Sequence, residues 1–352
     1  MAEVDGHTSW VRRETHEGGI LGLWRPCSSA QFLGIDMDPT PGSVILFTAF
    51  EPSGDAHAAP VIAGIKERAP DIRIFAWGGP KMEAAGAELM GHTCDDGAMG
   101  LGGFAAARKV YKTIREIRKW SKGVPLLAHV PVDSPAANFP ICRTMRKRGV
   151  RVIHMVAPQL WAWGPWRIRK LRRLTDMVLC LLPFEEQWFK DRGVPAKFIG
   201  HPVLNRELDE AALDQEITSF PQGSPRILLL PGSRSGEIKA NLQLICRSFS
   251  QLRNQSGRAV GIIVAANENS AREIRARLNP MPQGIHLAMG NLDAAIRWAD
   301  LAITVSGTVS LDMTRHETPM VGVYSVGPIS WLGSKVLLQT PSRLLPNIVA
   351  GE

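Results

Sequence analysis

Two short turns carry residue types suited to holding a phosphate. Leu230-Pro231-Gly232-Ser233-Arg234 follows an apolar run and precedes a helical pattern. Gly232 allows close backbone approach, Ser233 can cap a helix, and Arg234 offers a permanent, bidentate positive charge. An ordinary β–α turn with a surface arginine fits the same residues. Ser306-Gly307-Thr308 closes a second apolar run. Its amides and hydroxyls suit a phosphate or a ribose. Asp312 lies one helical turn beyond Thr308 on the same face, placed to accept ribose hydroxyl protons. Ser and Thr are equally good as plain helix caps.

A different chemistry is available earlier in the chain. Asp133 ends the apolar run of VPVDSPAANF, where a carboxylate can serve as a general base. A turn carboxylate before Pro135 is the competing reading. Asn138 is a nearby candidate for a sugar hydroxyl. Glu51, Ser53, Gly54 and Asp55 form another strand-to-helix turn, although acids are favoured at a helix start in any case. His201, after AKFIG, is a candidate diphosphate contact, and a lone histidine is more often structural. Residues 160–173 read LWAWGPWRIRKLRR. There Trp161, Trp163 and Trp166 meet Arg167, Arg169, Lys170, Arg172 and Arg173. Interfacial tryptophan with basic charge suits anionic headgroups. It also suits single-stranded nucleic acid, or a Trp-packed core beside a solvated helix. The basic helix 108–120 favours a docking face.

These residues need elements to position them. The 352 residues are 45% hydrophobic and 21% charged, which is globular usage with a substantial core. That excludes a disordered chain, a collagen-like fibre and a disulfide scaffold. No run approaches the ~20 apolar residues of a membrane span. The net charge of +8 favours anionic partners. The five cysteines form no CxxC pair, so they read as reduced thiols. The polar start of the chain does not look like a secretory signal. Walker, HExxH, GxSxG and GxGxxG patterns are absent, and no DxD-like pair falls in a metal-binding turn. Neither a metal nor a cofactor is expected.

Strand and helix patterns alternate from Ser43 onward. SVILFTAF, IRIFAWGG, VPLLAHVPVD, RVIHMVAP, TDMVLCLLPF and AKFIG read as strands with helices between them. A second series runs through RILLLPGSR, AVGIIVAA, HLAMG, LAITVSGT and PMVGVYSV. The expectation is an α/β protein of two Rossmann-like, doubly wound domains facing a crevice. Residues 1–42 read as a poorly ordered extension and 43–205 as an N-terminal domain. The polar stretch 206–225 reads as a linker, 226–340 as a C-terminal domain, and 341–352 as an incomplete C-terminal segment.

The motifs together resemble the lipid-A-disaccharide synthase family, glycosyltransferases of GT-B architecture. The matching blocks are the EPSGD turn, GGPKMEAAG, VDSPAANF, HMVAPQLWAWGPWR, LPFE, FIGHP, LLPGSR with Glu237, SGT and LPN. The resemblance implies transfer of 2,3-diacylglucosamine from UDP to 2,3-diacylglucosamine 1-phosphate, with inversion and no metal or cofactor. It implies an acceptor and membrane-facing first domain (43–205) and a UDP-sugar-binding second domain (226–340), with Asp133 as the base and Arg234 at the leaving diphosphate. Ser306, Gly307, Thr308 and Asp312 would bind the nucleotide, with Gly232, Ser233 and Asn347 also at substrate. A cytoplasmic protein lying on the inner face of the inner membrane is implied, with an anionic membrane surface as partner and no nucleic acid. The family continues past LPN into a segment that can exchange between protomers, so a homodimer is a further expectation. The sequence departs from the family at Asp312, where Glu is usual, and at DSPAANF, where DxPDFN is usual. Two other readings share the fold: a UDP-sugar 2-epimerase-like isomerase, and an inactive UDP-sugar binder docked on a membrane.

Overall fold

A computed structural model describes residues 43–94, 103–162, 164–305, 307–323 and 344–351. They divide into two compact units, one ending at Pro202 and the other starting at Val203.

The first unit is built on a seven-stranded parallel sheet. Its elements are β1 (Val44–Thr48), α1 (Pro52–Arg68), β2 (Arg73–Gly78), α2 (Pro80–Ala84), β3 (Glu88–His92), α3 (Gly103–Ser121) and β4 (Leu126–Pro131). They continue through α4 (Pro135–Lys147), β5 (Arg151–Met155), α5 (Ile168–Leu174), β6 (Met177–Cys180), α6 (Pro183–Lys190) and β7 (Ala196–Phe198), before the short α7 (Pro202–Asn205). The strand order is β3-β2-β1-β4-β5-β6-β7. Every residue of β1 is buried, as a parallel strand covered on both faces requires. Val44 and Leu46 pack with Ile117, Phe139 and Met145 on one face. Ile45 and Phe47 pack with Ala58 and Ile62 on the other, the alternation a strand imposes. The edge strand β3 alternates half-buried with exposed residues and escaped the sequence pattern.

The second unit holds a five-stranded parallel sheet. It contains α8 (Glu210–Ile217), β8 (Arg226–Leu230), α9 (Ser235–Ser256), β9 (Val260–Ala265), α10 (Glu268–Arg277), β10 (Ile285–Met289), α11 (Leu292–Trp298), β11 (Leu301–Thr304), α12 (Val309–Arg315) and β12 (Met320–Gly322). The order is β10-β9-β8-β11-β12. Ile227 and Leu229 face α9, while Leu228 and Leu230 face the cluster around Trp298.

Part of the stretch read as a linker is structured. Leu213 and Ile217 of α8 pack on the core that contains α11. Phe220 is buried edge-on against Trp298, with ring centroids 6.0 Å apart. The apolar residues fall at spacings of four and three, one helical face inside an otherwise polar stretch.

Both sheets reverse winding direction at one point, and the candidate turns lie there. β1 pairs with β4 on one side and β2 on the other. β8 likewise sits between β9 and β11. In open α/β sheets, ligands bind beyond the strand carboxyl ends at such a reversal. The turns after β1 and β4, and those after β8 and β11, occupy that place in each unit.

Candidate functional site

In the first unit, Asp133 and Ser134 form the turn between β4 and α4. Both are left-handed, with φ of 48° and 40°. Such backbone costs a non-glycine residue on the order of 1–3 kcal/mol and persists only where the surroundings hold it. Asp133 is half-buried, and its amide donates to the carbonyl of Met155 at 2.9 Å. Ser134 Oγ donates to the carboxylate of Glu51 at 2.9 Å, joining the two turns at the strand ends. Glu51 and Ser53 are exposed. Gly54 is buried where a Cβ would lie 3.1 Å from that of Ala49, so its smallness lets α1 start against the sheet.

Asp55 and Asn138 do not face solvent. The Asp55 carboxylate is 3% exposed and accepts the amides of Gly79, Lys81 and Met82 at 2.9–3.1 Å. It caps the start of α2, which corrects its reading as a substrate contact. Asn138 is fully buried, and its amide nitrogen donates to the carbonyls of Val132 and Asp133 at 3.1 and 2.8 Å. Its side chain is committed to the backbone of the Asp133 turn and not to a sugar hydroxyl.

His201 is 3% exposed and lies edge-on to His57, with ring centroids 5.4 Å apart. Burial pulls the His201 imidazole down to about 3, with the neighbouring His57 adding to the effect. Burial, then Lys81, lowers His57 as well. The ring brings no positive charge to a diphosphate at neutral pH.

The tryptophan-rich segment separates into two kinds of residue. Trp161 is buried, and its indole N–H donates to Glu185 Oε1 at 2.9 Å. Glu185 Oε2 accepts the amides of Leu181 and Leu182 at 3.2 and 3.0 Å. Burial pushes the Glu185 carboxyl up to about 7 against these three donors. The membrane-facing reading of Trp161 is thereby corrected: it packs edge-on against Phe184 inside the fold. Trp166 is 66% exposed, and Arg169 and Lys170 are exposed beside it. Arg167 is half-buried, and Trp163 lies outside the described residues. Glu185 was missed, although Leu182-Pro183-Phe184-Glu185 carries the spacing of a glutamate reaching back over its own helix start.

In the second unit, Gly232 has φ of 111°. A Cβ there would lie 2.5 Å from that of Glu237, so the turn needs glycine. Ser233 and Arg234 are exposed. Their amides donate to Glu237 Oε2 at 3.1 and 3.3 Å. The Arg234 guanidinium pairs with Glu237 Oε1 at 3.2 Å. Gly307 and Thr308 are exposed after the neighbouring strand β11, and Ser306 lies outside the described residues. Asn347 is buried on the short helix Leu345–Ala350, which packs against α12.

Asp312 belongs to an ionic cluster that the sequence reading missed. Arg206 Nη2 lies 2.5 Å from Asp293 Oδ2 and 3.7 Å from Asp312 Oδ1. His316 Nε2 is 3.0 Å from Asp293 Oδ1. Asp312 is 8% exposed. Burial pushes its carboxyl up to about 6, with Arg206 pulling it down and Asp293 pushing it further up. Its reading as a ribose contact is therefore displaced by a structural one. No sequence motif marks Arg206, Asp293 and His316, because three separate elements bring them together.

A model of the lipid-A-disaccharide synthetase family matches residues 45–352. The lipid-A-disaccharide synthase of Solibacter usitatus is 31% identical over 314 residues, covering 88% of this chain and 81% of that one. The enzyme of the same name from Myxococcus xanthus is 31% identical over 317 residues, with the same coverage. Among solved structures, UDP-GlcNAc 2-epimerase from Neisseria meningitidis bound to UDP-GlcNAc has a TM-score of 0.58 at 12% identity, covering 88% of this chain and 90% of that one. The Staphylococcus aureus MnaA-UDP structure has a TM-score of 0.58 at 10% identity, covering 88% and 86%. At such identity the likeness shows the fold alone: two parallel α/β sheets of the GT-B type.

Two stability measurements check these placements. Trp161→Phe leaves an oxygen of Glu185 without its buried donor and should lower stability by about 1–3 kcal/mol in urea. Trp166→Ala should leave stability unchanged; the reverse ranking would contradict the placement. Asp312 is the second case. Its carboxyl titrates near 6 in the fold against an ordinary 3.8. The folded state therefore binds the extra proton between these values, and stability falls as pH rises through them. From pH 4 to 7.5 the protein should lose on the order of 2–3 kcal/mol relative to Asp312→Asn. Parallel curves for the two proteins would rule that titration out.

Proposed function

The chain belongs to the lipid-A-disaccharide synthetase family, and we propose how its residues divide that family's work. It is a glycosyltransferase of lipid A biosynthesis that uses a UDP-sugar and a lipid-A precursor. The observation that carries this reading is the family match across both units. The isomerase alternative rests on a shared fold alone.

The donor in this reading is UDP-2,3-diacylglucosamine and the acceptor is 2,3-diacylglucosamine 1-phosphate. Asp133 takes the proton from the acceptor 6-hydroxyl as that oxygen bonds to the donor's anomeric carbon. The carbon–oxygen bond to UDP breaks with inversion, and its electron pair leaves on the diphosphate. Arg234 faces the charge that develops there. Gly232 and Ser233 line the same turn, and Gly307 and Thr308 occupy the next one. The left-handed Asp133 turn supports this assignment, because strained backbone at a strand's carboxyl end is where function concentrates. Glu51 lies beside it through Ser134.

The lipid surface is met, in the same reading, by the helical layer of the first unit. No described helix is long and apolar enough to cross a membrane. Along α3, Ile114 and Ile117 are buried, whereas Arg108, Lys109, Tyr111, Lys112, Arg115 and Lys119 are exposed. α3, α4 and α5 cover one face of the sheet, and exposed Trp166 precedes α5. Cationic charge with Tyr111 and Trp166 fits an anionic inner-leaflet surface approached from the cytoplasm.

Mass spectrometry after mixing donor and acceptor in detergent tests the reaction: a tetra-acyl disaccharide phosphate and UDP are expected. Asp133→Ala should cut turnover by about 10²–10⁴-fold with UDP affinity unchanged. Arg234→Ala should weaken UDP binding by about 1.5–3 kcal/mol. Lost UDP affinity in the first variant, or unchanged affinity in the second, would reverse these roles. For the surface, binding to vesicles should rise with anionic lipid, fall with salt, and drop in the double variant Lys112→Glu, Arg115→Glu. Binding indifferent to all three would exclude α3 as the docking face.

A further inference from the structure

Behind the Asp133 turn lies a line of buried polar groups, of which only Asn138 belongs to a sequence motif named above. His129 on β4, Thr48 at the end of β1 and Asn138 in α4 are each fully buried. His129 Nε2 is 2.9 Å from Thr48 Oγ1, which donates to Asn138 Oδ1 at 2.7 Å. The Asn138 amide nitrogen then donates to the carbonyls of Val132 and Asp133.

Chemistry sets the direction of this line. Two carbonyls face one end of the Asn138 amide, so that end must be the nitrogen, and the oxygen faces Thr48. An amide oxygen can only accept, so the Thr48 hydroxyl spends its one proton there. Thr48 can therefore only accept from His129, whose Nε2 must carry the hydrogen. Burial, with His154 nearby, lowers the His129 imidazole to about 3, so the ring is neutral and has one N–H to give. Its bare Nδ1 has no hydrogen-bond partner, as this tautomer allows. Every donor in the line points toward the Asp133 turn.

The turn is held from both sides as a result. Asp133 N–H is tied to Met155 O, and its carbonyl is tied to Asn138. Val132 N–H is tied to Thr48 O at 2.8 Å. Thr48 thus grips the turn twice, once through its own backbone and once through its hydroxyl. Two consecutive left-handed, non-glycine residues need such restraint.

We propose that Asn138, oriented by Thr48 and His129, is a positioning residue that fixes the left-handed Asp133 turn and so aims the Asp133 carboxylate. The proposal rests on Asp133 being the base. The line ends on backbone carbonyls, so it orients the carboxylate and carries no proton to it. It also assigns Thr48 and His129 a task in turnover that their burial alone would not.

The test compares Thr48→Val, which keeps the shape and removes the hydroxyl, with Thr48→Ser, which keeps the hydroxyl. Thr48→Val should lower kcat by about ten- to a hundredfold, the scale of a misaimed catalytic group. KM and UDP affinity should stay near the parent values, and Thr48→Ser should restore most of kcat. In an Asp133→Ala background, Thr48→Val should have no further effect, because the two act as one unit. Unchanged kcat in Thr48→Val, or a full additional loss in the Asp133→Ala background, overturns the proposal. Should Thr48→Val not fold, His129→Phe against His129→Gln repeats the comparison, since glutamine retains a donor. Failure of both Thr48→Val and His129→Phe to fold assigns the line to stability and overturns the positioning role. Full turnover in Asp133→Ala overturns the base assignment itself. Lost turnover in Asp133→Ala with unchanged Thr48→Val overturns this proposal alone.

Discussion

The pairing of β1 with β4, and of β8 with β11, is the constraint on which each unit depends. Parallel neighbours cannot be joined by a tight turn, so each connection crosses back over the sheet. All strand carboxyl ends therefore lie on one edge. Where winding reverses, the loops leaving two adjacent strands diverge to opposite faces and leave room between them. The Asp133 turn and the Glu51 turn meet there in the first unit. The Gly232–Arg234 turn and the turn after β11 leave adjacent strands in the second. Residues more than eighty positions apart become neighbours because the backbone pairing brings them together.

A second theme is the internal polar anchor. Asp55, Asn138 and Glu185 are each buried, and each commits at least one side-chain oxygen or nitrogen to backbone groups. Buried polar groups are costly unless satisfied, so each anchor holds one specific local geometry. Asp55 fixes the start of α2, Glu185 fixes α6 against Trp161, and Asn138 fixes the Asp133 turn. These polar residues thus serve the backbone of their own turns. Asp312 differs, because the group beside it is a side chain, the Arg206 guanidinium that also pairs with Asp293.

The strand and helix alternation was legible because buried parallel strands are continuous apolar runs and the helices are amphipathic. The turns were legible because Gly232 and the Asp133 block sit at the ends of such runs. The edge strand β3 was not, since three of its five residues face water. Nor was α8, whose apolar face hides in a polar stretch. Burial of individual side chains was the least legible property. Asp55, Asn138 and Trp161 look like surface chemistry in the sequence, and only packing against Gly79, Val132 and Glu185 reveals their commitments. The Arg206 cluster had no local signal, because its members come from the segment after α7, from α11 and from the region of α12.

The turn after β8 shows how much a phosphate reading must rest on charge. Its two amides, on Ser233 and Arg234, already donate to Glu237. A diphosphate approaching them meets a resident carboxylate of its own sign, and gains those amides only by displacing it. Arg234 has no such conflict. Its side chain is 62% exposed, and its bond to Glu237 is an exposed pair at short sequence spacing, the kind worth least in water. Redirecting that guanidinium to a diphosphate exchanges one anion for another of higher charge. Gly232, lacking a side chain, makes the room that Glu237 occupies. In the proposed reading, the attraction that this turn would offer a diphosphate therefore resides in the Arg234 charge more than in the amides of the loop.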